Sequence, residues 1–93
     1  MGPISIHSFV ERKQVVDRLT KRVDEIKKEI VLYKDYLKIG EKEVKITEVF
    51  DMSYRPVGPE DGFLYLHTIR GVKTLCVKSN PAELIDAFYS ITR

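Results

Sequence analysis

Between Gly62 and Lys78 the chain reads as a β-hairpin that is apolar on both faces, and no other segment limits the fold so strongly. Phe63 to Ile69 forms one arm, Arg70-Gly71 the two-residue turn, and Val72 to Lys78 the returning arm. With the strand period of two, Leu64, Leu66, Leu75 and Val77 share one face. Phe63, Tyr65, His67 and Ile69 share the other with Val72, Thr74 and Cys76. Neither face can be left in water. One cover follows directly in sequence. Ser79-Asn80-Pro81 stops the sheet, Asn80 is an N-cap, Pro81 suits the first helical position, and Glu83 suits the third. A helix over 80–92 then presents Leu84, Ile85, Phe88 and Ile91 to the sheet. The second face needs a further cover: another helix, more strands, or another chain.

The first third of the chain is read as that helix. Val16, Leu19, Val23, Ile26 and Ile30 step by alternating threes and fours, with Phe9 seven residues before Val16 on the same stripe. Ser8 followed by Glu11 has capping-box spacing, and Asp17 with Lys21 and Asp24 with Lys28 are acid-first pairs four apart. These signals predict a helix over 8–29. A rod of about 21 residues spans ~31 Å, whereas a six-residue strand spans only ~20 Å. The rod overhangs the sheet, and a matching rod from a second subunit would bury the excess. The stripe Val16, Leu19, Val23, Ile26 and Ile30 is therefore the expected dimer and core contact.

Between these elements the period changes to two. Ile30, Leu32, Leu37 and Ile39 alternate about a turn at Lys34-Asp35, and Gly40-Glu41 offers the next turn. Val44, Ile46 and Val49 continue a strand toward Tyr54, and 53–62, with Pro56, Gly58, Pro59 and Gly62, reads as a loop. An antiparallel sheet over 30–78, flanked by one helix on each side, makes a single α+β domain over 1–93.

Composition narrows the function. Hydrophobic residues make up 43% and charged residues 32%, which suits a globular chain and not a disordered one. The net charge is only +2, and bases and acids are interspersed, so nothing draws the chain to nucleic acid or an anionic membrane. No apolar run approaches the ~18 residues that a membrane span needs. A cytoplasmic location without membrane insertion is expected. The single cysteine, Cys76, and two histidines exclude an intrachain disulfide and make no zinc site.

No residue pattern carries catalysis. His67 lies mid-strand with no nucleophile or acid at a telling spacing, so a hydrogen-bonded structural histidine is the simpler reading. Cys76 reads as a packed thiol. Tyr54 and Arg55 could stack on or pair with a ligand, or they could end a strand and anchor the loop. Glu60-Asp61 are adjacent turn carboxylates, and adjacency does not aim two acids at one substrate. Tyr33, Tyr36 and Tyr65 could stack on bases, but no RNP-like motif accompanies them. Phosphate loops, G-x-S-x-G and H-E-x-x-H do not occur. No enzyme, no metal and no cofactor are expected.

Gly62-Phe-Leu-Tyr-Leu-His-Thr, Gly71-Val72, Val77 and Asn80-Pro81, together with the strands over 30–39 and 44–54, resemble small bacterial PH-like domains over residues 29–92. The resemblance implies a curved antiparallel sheet capped by a C-terminal helix. It supplies no catalytic residues, and no lysine or arginine cluster on a loop between adjacent strands implies phosphoinositide binding. A complete barrel of that kind has about seven strands, whereas four to five are read here, so a half-barrel completed by a helix or a second subunit is expected.

The function expected from these readings is a protein-interaction or scaffold domain, homodimeric, holding an unknown protein segment through Tyr54, Arg55, Tyr65 and His67 or through an open strand edge. Two alternatives are a nucleic-acid binder using Arg12, Lys13, Arg18, Lys21, Arg22, Lys27 and Lys28 of the first helix, and a small-molecule or lipid binder between sheet and helix.

Overall fold

The computed structural model describes the 93-residue chain except residues 1, 17, 18, 20, 60 and 93. The described residues form seven strands and one helix: β1 (Ser5–Val16), β2 (Lys21–Leu32), β3 (Tyr36–Ile39), β4 (Lys42–Lys45), β5 (Val49–Pro56), β6 (Gly62–Thr68), β7 (Gly71–Val77) and α1 (Ala82–Thr92). A 3₁₀ turn, Ile46–Glu48, links β4 to β5. The strands make one antiparallel sheet in the order β4-β3-β2-β1-β7-β6-β5. Two meanders, one of four strands and one of three, therefore meet where β1 lies beside β7.

The expected helix over 8–29, and with it the α+β class with a long N-terminal helix, is overturned. That segment is a β-hairpin of twelve opposed pairs, from Ser5 opposite Leu32 to Val16 opposite Lys21. The charges that suit a helix at a spacing of four suit this register equally well. Arg12 faces Glu25 and Lys13 faces Asp24, while Lys28 Nζ reaches Glu11 Oε2 at 2.5 Å. Val10, Val15, Val16, Val23, Ile26, Ile30 and Val31 add β-branched side chains that favour a pleated surface. Tertiary need decides between the two: Phe9, Ile30 and Leu32 are core residues as strand neighbours, and without β1 and β2 no strand would lie between β3–β4 and β5–β7 in the sheet.

The sheet consequently begins at Ser5 rather than residue 30, and it has seven strands rather than four or five. The expected loop over 53–62 is shorter too. β5 runs on to Pro56, which lies opposite Gly62 at the end of the β5–β6 ladder and so meets the rule that a strand proline belongs on an edge.

The hairpin β6–β7 alternates as its sequence demands. Gly62, Leu64, Leu66 and Thr68 are buried, with Phe63, Tyr65 and His67 half-buried between them. Its turn is held by Thr68, whose hydroxyl donates to Gly71 O at 2.8 Å and accepts the Arg70 N–H at 3.2 Å. Gly71 has φ 119°, which explains the glycine at that place. Asn80 Oδ1 accepts the Ala82 N–H at 3.0 Å and caps α1.

The core lies on the concave side of the sheet. Phe9, Ile30, Leu32, Leu37, Ile39, Val49, Met52, Leu64, Leu66 and Val77 meet Leu84 and Phe88 of α1 there. Each large apolar side chain so buried contributes about 1.5–3 kcal/mol. The sheet does not close on itself, because β4 and β5 are the two ends of its order. At the 3₁₀ link, Ile46 N–H to Asp35 O extends the β3–β4 ladder and Ile69 N–H to Glu48 O extends the β5–β6 ladder, each at 3.0 Å.

One part stands outside this body. β2 pairs with β3 only over Ile30–Leu32, and β1 pairs with β7 only at Val10 opposite Cys76. Beyond these points β1 and β2 continue as a two-stranded ribbon. The molecule measures 51 × 27 × 26 Å, and its radius of gyration of 14.4 Å exceeds the ~12 Å of a compact chain of this length.

Candidate functional site

The four residues singled out in sequence divide between the two faces of the sheet. Arg55, Tyr65 and His67 lie on the outer face, where Arg55 is opposite Phe63, Ser53 opposite Tyr65 and Asp51 opposite His67. Tyr54 points the other way and packs against the core. Phe63 and Tyr65 are 6.3 Å apart between ring centroids, and across β7 they meet Cys76 and Thr74. Phe63, Tyr65, His67 and Cys76 of this band are half-buried, while Arg55, Ile69 and Val72 on the same face are exposed.

His67 Nε2 lies 3.1 Å from Ser53 Oγ. Asp51 is opposite His67, but its Oδ1 accepts the hydroxyl of Tyr89 and the Met52 N–H, the latter at 2.9 Å. The carboxylate thus holds α1 to β5, and the histidine has a hydroxyl partner on its own face. Such an arrangement fits a satisfied structural histidine, in keeping with the sequence reading.

A groove lies where β5 leaves the sheet. Ile46, Thr47, Val49 and Phe50 line one side and Tyr89, Ile91 and Thr92 of α1 the other, enclosing about 630 Å³. The register of β5 shifts between Val49 and Asp51. This bulge turns Phe50 out of the ladder and leaves it 67% exposed. The Tyr89 hydroxyl also lies 3.1 Å from Met52 O, so its one proton is shared between that carbonyl and Asp51 Oδ1. The groove is not legible in sequence, because alternation alone reads as one strand running from Val44 to Tyr54. The sequence does hold one signal, the adjacent apolar pair Val49-Phe50, which breaks the alternation.

The expected stripe is scattered. Ile30 is in the core, Ile26 is on the same face of β2 but beyond the core, and Val16 and Val23 lie on the opposite face of the ribbon. Leu19, at the end of the ribbon, is 93% exposed. The basic residues proposed for nucleic acid lose the helix that would have aligned them. Arg12, Lys21 and Lys27 share one face, Lys13, Arg22 and Lys28 the other, and Arg18 lies outside the described residues. Acids stand among them, as in Arg12–Glu25 at 3.9 Å and Arg22–Asp24 at 3.5 Å.

Other candidates are accounted for locally. Tyr33 and Tyr36 stack on each other at 4.6 Å rather than offering free faces, and burial pushes the Tyr36 hydroxyl pKa up. Asp61 pairs with Lys78 at 3.0 Å, while Glu60 lies outside the described residues. Cys76 is half-buried. A cleft of about 550 Å³ opens between β1 and β7 as they diverge, and Glu11, Arg12, Lys28, Lys42 and Lys73 give it a mixed charge. Between sheet and helix, Leu84 and Phe88 pack into the core, and the space left open is the groove against Ile46–Phe50. Among the described residues no group of histidine, cysteine and acidic side chains could hold a metal, and no helix is long and apolar enough to cross a membrane.

No protein-family model, no curated protein and no solved structure matches this chain.

Proposed function

We propose that this chain is a PH-like interaction module that works as a homodimeric scaffold, holds an extended protein segment and performs no catalysis. The observation that carries the reading is the β5 edge. β5 ends the sheet, pairs on one side only with β6, and borders the apolar groove against α1. An extended segment can add to such an edge through main-chain hydrogen bonds to either side of Met52, whose own N–H and carbonyl are already met by Asp51 and Tyr89, while its alternate side chains enter the groove. Phe50 at the bulge and Ile91 on the helix offer apolar contact, and Arg55 lies further along the same strand.

The PH-like part of the proposal is supported by the two consecutive meanders, the open seven-stranded sheet and the helix that caps it. The other sheet end is a poorer host. β4 has four residues, and Lys42, Glu43 and Lys45 expose charge along it, which blunts an edge.

The test is a peptide selected from a random displayed library against the folded chain, then mapped by amide chemical shifts. Shifts concentrated on Val49–Pro56 and on Tyr89 to Thr92 are expected. Failure to select any peptide, or shifts confined to other strands, would contradict the proposal.

A further inference from the structure

A long unpaired strand edge belongs to β2. Gly40 N–H donates to Glu29 O at 3.0 Å, and β3 covers Ile30–Leu32. From Lys21 to Lys28 no strand of the same chain lies on that side. A two-stranded ribbon standing in water is marginally stable by itself, and an open edge is a template for another strand.

The edge is also self-complementary. Lys21-Arg22-Val23-Asp24-Glu25 runs as two bases, a valine and two acids. We propose that a second copy of this chain pairs here, β2 against β2, antiparallel about a twofold axis at Val23. Val23, 61% exposed in the single chain, then meets its own copy. Lys21 lies opposite Glu25 of the second copy, and Arg22 lies opposite its Asp24. Within each chain Asp24 already faces Lys13 and Glu25 already faces Arg12. Pairing therefore sets every one of these carboxylates between two cations across a four-stranded sheet.

Neighbouring registers are disfavoured on charge or on space. With the same faces kept together, a centre at Arg22, Asp24 or Glu25 puts that charged residue against itself. A centre at Ile26 joins unlike charges but sets the second copy's Arg22 and Val23 beside Ile30 and Glu29, where β3 and Gly40 already lie. The β1 edge of the ribbon, Glu11-Arg12-Lys13-Gln14, offers no matching block of acids.

This pairing deepens the homodimeric scaffold reading and rests on it for the second copy. It leaves the β5 edge free, so the two can fail separately. Light scattering over a dilution series should show the mass rising from 10.8 kDa toward twice that value. Asp24→Lys/Glu25→Lys and Lys21→Glu/Arg22→Glu should each stay monomeric alone. Mixed in equal amounts they should recover the doubled mass, because every opposed pair is again unlike.

A wild-type chain that stays monomeric throughout, variants that still dimerise, or a mixture that stays monomeric would each overturn the pairing. Val23→Cys in a Cys76→Ser background guards against misfolded charge variants. Directly opposed residues have Cα atoms about 4.5–5.5 Å apart, which suits a disulfide. That variant should cross-link on oxidation and Lys27→Cys in the same background should not; the reverse outcome also overturns the proposal. The monomeric charge variants should keep whatever peptide binding the β5 edge has.

Discussion

The ring of Tyr54 lies over Gly62, so close that a β-carbon on the glycine would stand 2.3 Å from Tyr54 Cε1. The two are diagonal neighbours on the inner face of the β5–β6 ladder, where Tyr54 opposes Leu64 and Gly62 opposes Pro56. The aromatic ring covers the gap that a glycine leaves in a strand. Gly62→Ala should therefore destabilise the domain by about 1–3 kcal/mol, through overpacking rather than backbone strain. Thermal unfolding measures it. Tyr54→Ala combined with Gly62→Ala should cost less than the sum of the two single changes, since the double variant removes the clash.

Tyr89→Phe removes the hydroxyl that joins α1 to β5 through Asp51 and Met52 O. A hydrogen bond to a charged group contributes about 1.5–3 kcal/mol, so a loss within that range is expected in denaturant unfolding. Amide exchange should rise first in β5 and in the last turn of α1. Equal exchange increases throughout the sheet would argue against a local clamp.

Much of the C-terminal half is legible from sequence, for physical reasons that differ by element. The β6–β7 hairpin declares itself because strict alternation, a glycine turn and an Asn80-Pro81 stop all agree. The turns at Lys34-Asp35 and Gly40-Glu41 are visible for the same reason, and Gly40 takes φ 61°. The first third is not legible, because local and non-local signals conflict. Asp24 stands four residues before Lys28, as a helix pair would, yet it also stands directly opposite Lys13 across the β1–β2 ladder. The stretch joining β1 to β2 contains no glycine, proline or asparagine to mark a turn. The four proposed binding residues were readable as a group on paper, but strand parity sends Tyr54 inward and Arg55 outward.

Lys28 donates to the Glu11 carboxylate and holds its pKa below the ordinary 4.5. A carboxyl lowered in the folded chain contributes stability that is fully present above 4.5 and is lost as pH falls through the lower folded value. Both groups are solvent-facing, so the contribution is small. Titration of the Glu11 side chain by NMR should give a midpoint below 4.5, and Lys28→Gln should bring it back toward that value. A midpoint unchanged by Lys28→Gln would mean that the cross-strand pair does not form.

Phe88 and Leu19 contrast in burial, at 1% and 93% exposure. Phe88→Ala leaves a cavity in the core and should cost about 3–5 kcal/mol, enough to unfold much of a domain this small. Leu19→Ser should change stability by no more than about 0.5 kcal/mol. Circular dichroism on heating distinguishes them, and equal effects would show that the ribbon end is packed in solution.

The open β2 edge, the join between the two meanders and the single seven-stranded sheet all require β1 and β2 to be strands. Backbone nuclear Overhauser contacts over residues 5–32 test this most directly. Opposed residues such as Arg12 and Glu25, or Gln14 and Val23, should show contacts across the ladder, at Cβ separations near 5 Å. In a helix Arg12 and Glu25 would stand about 20 Å apart. A run of contacts between residues three apart along 8–29, with none across, would contradict the fold and everything built on it.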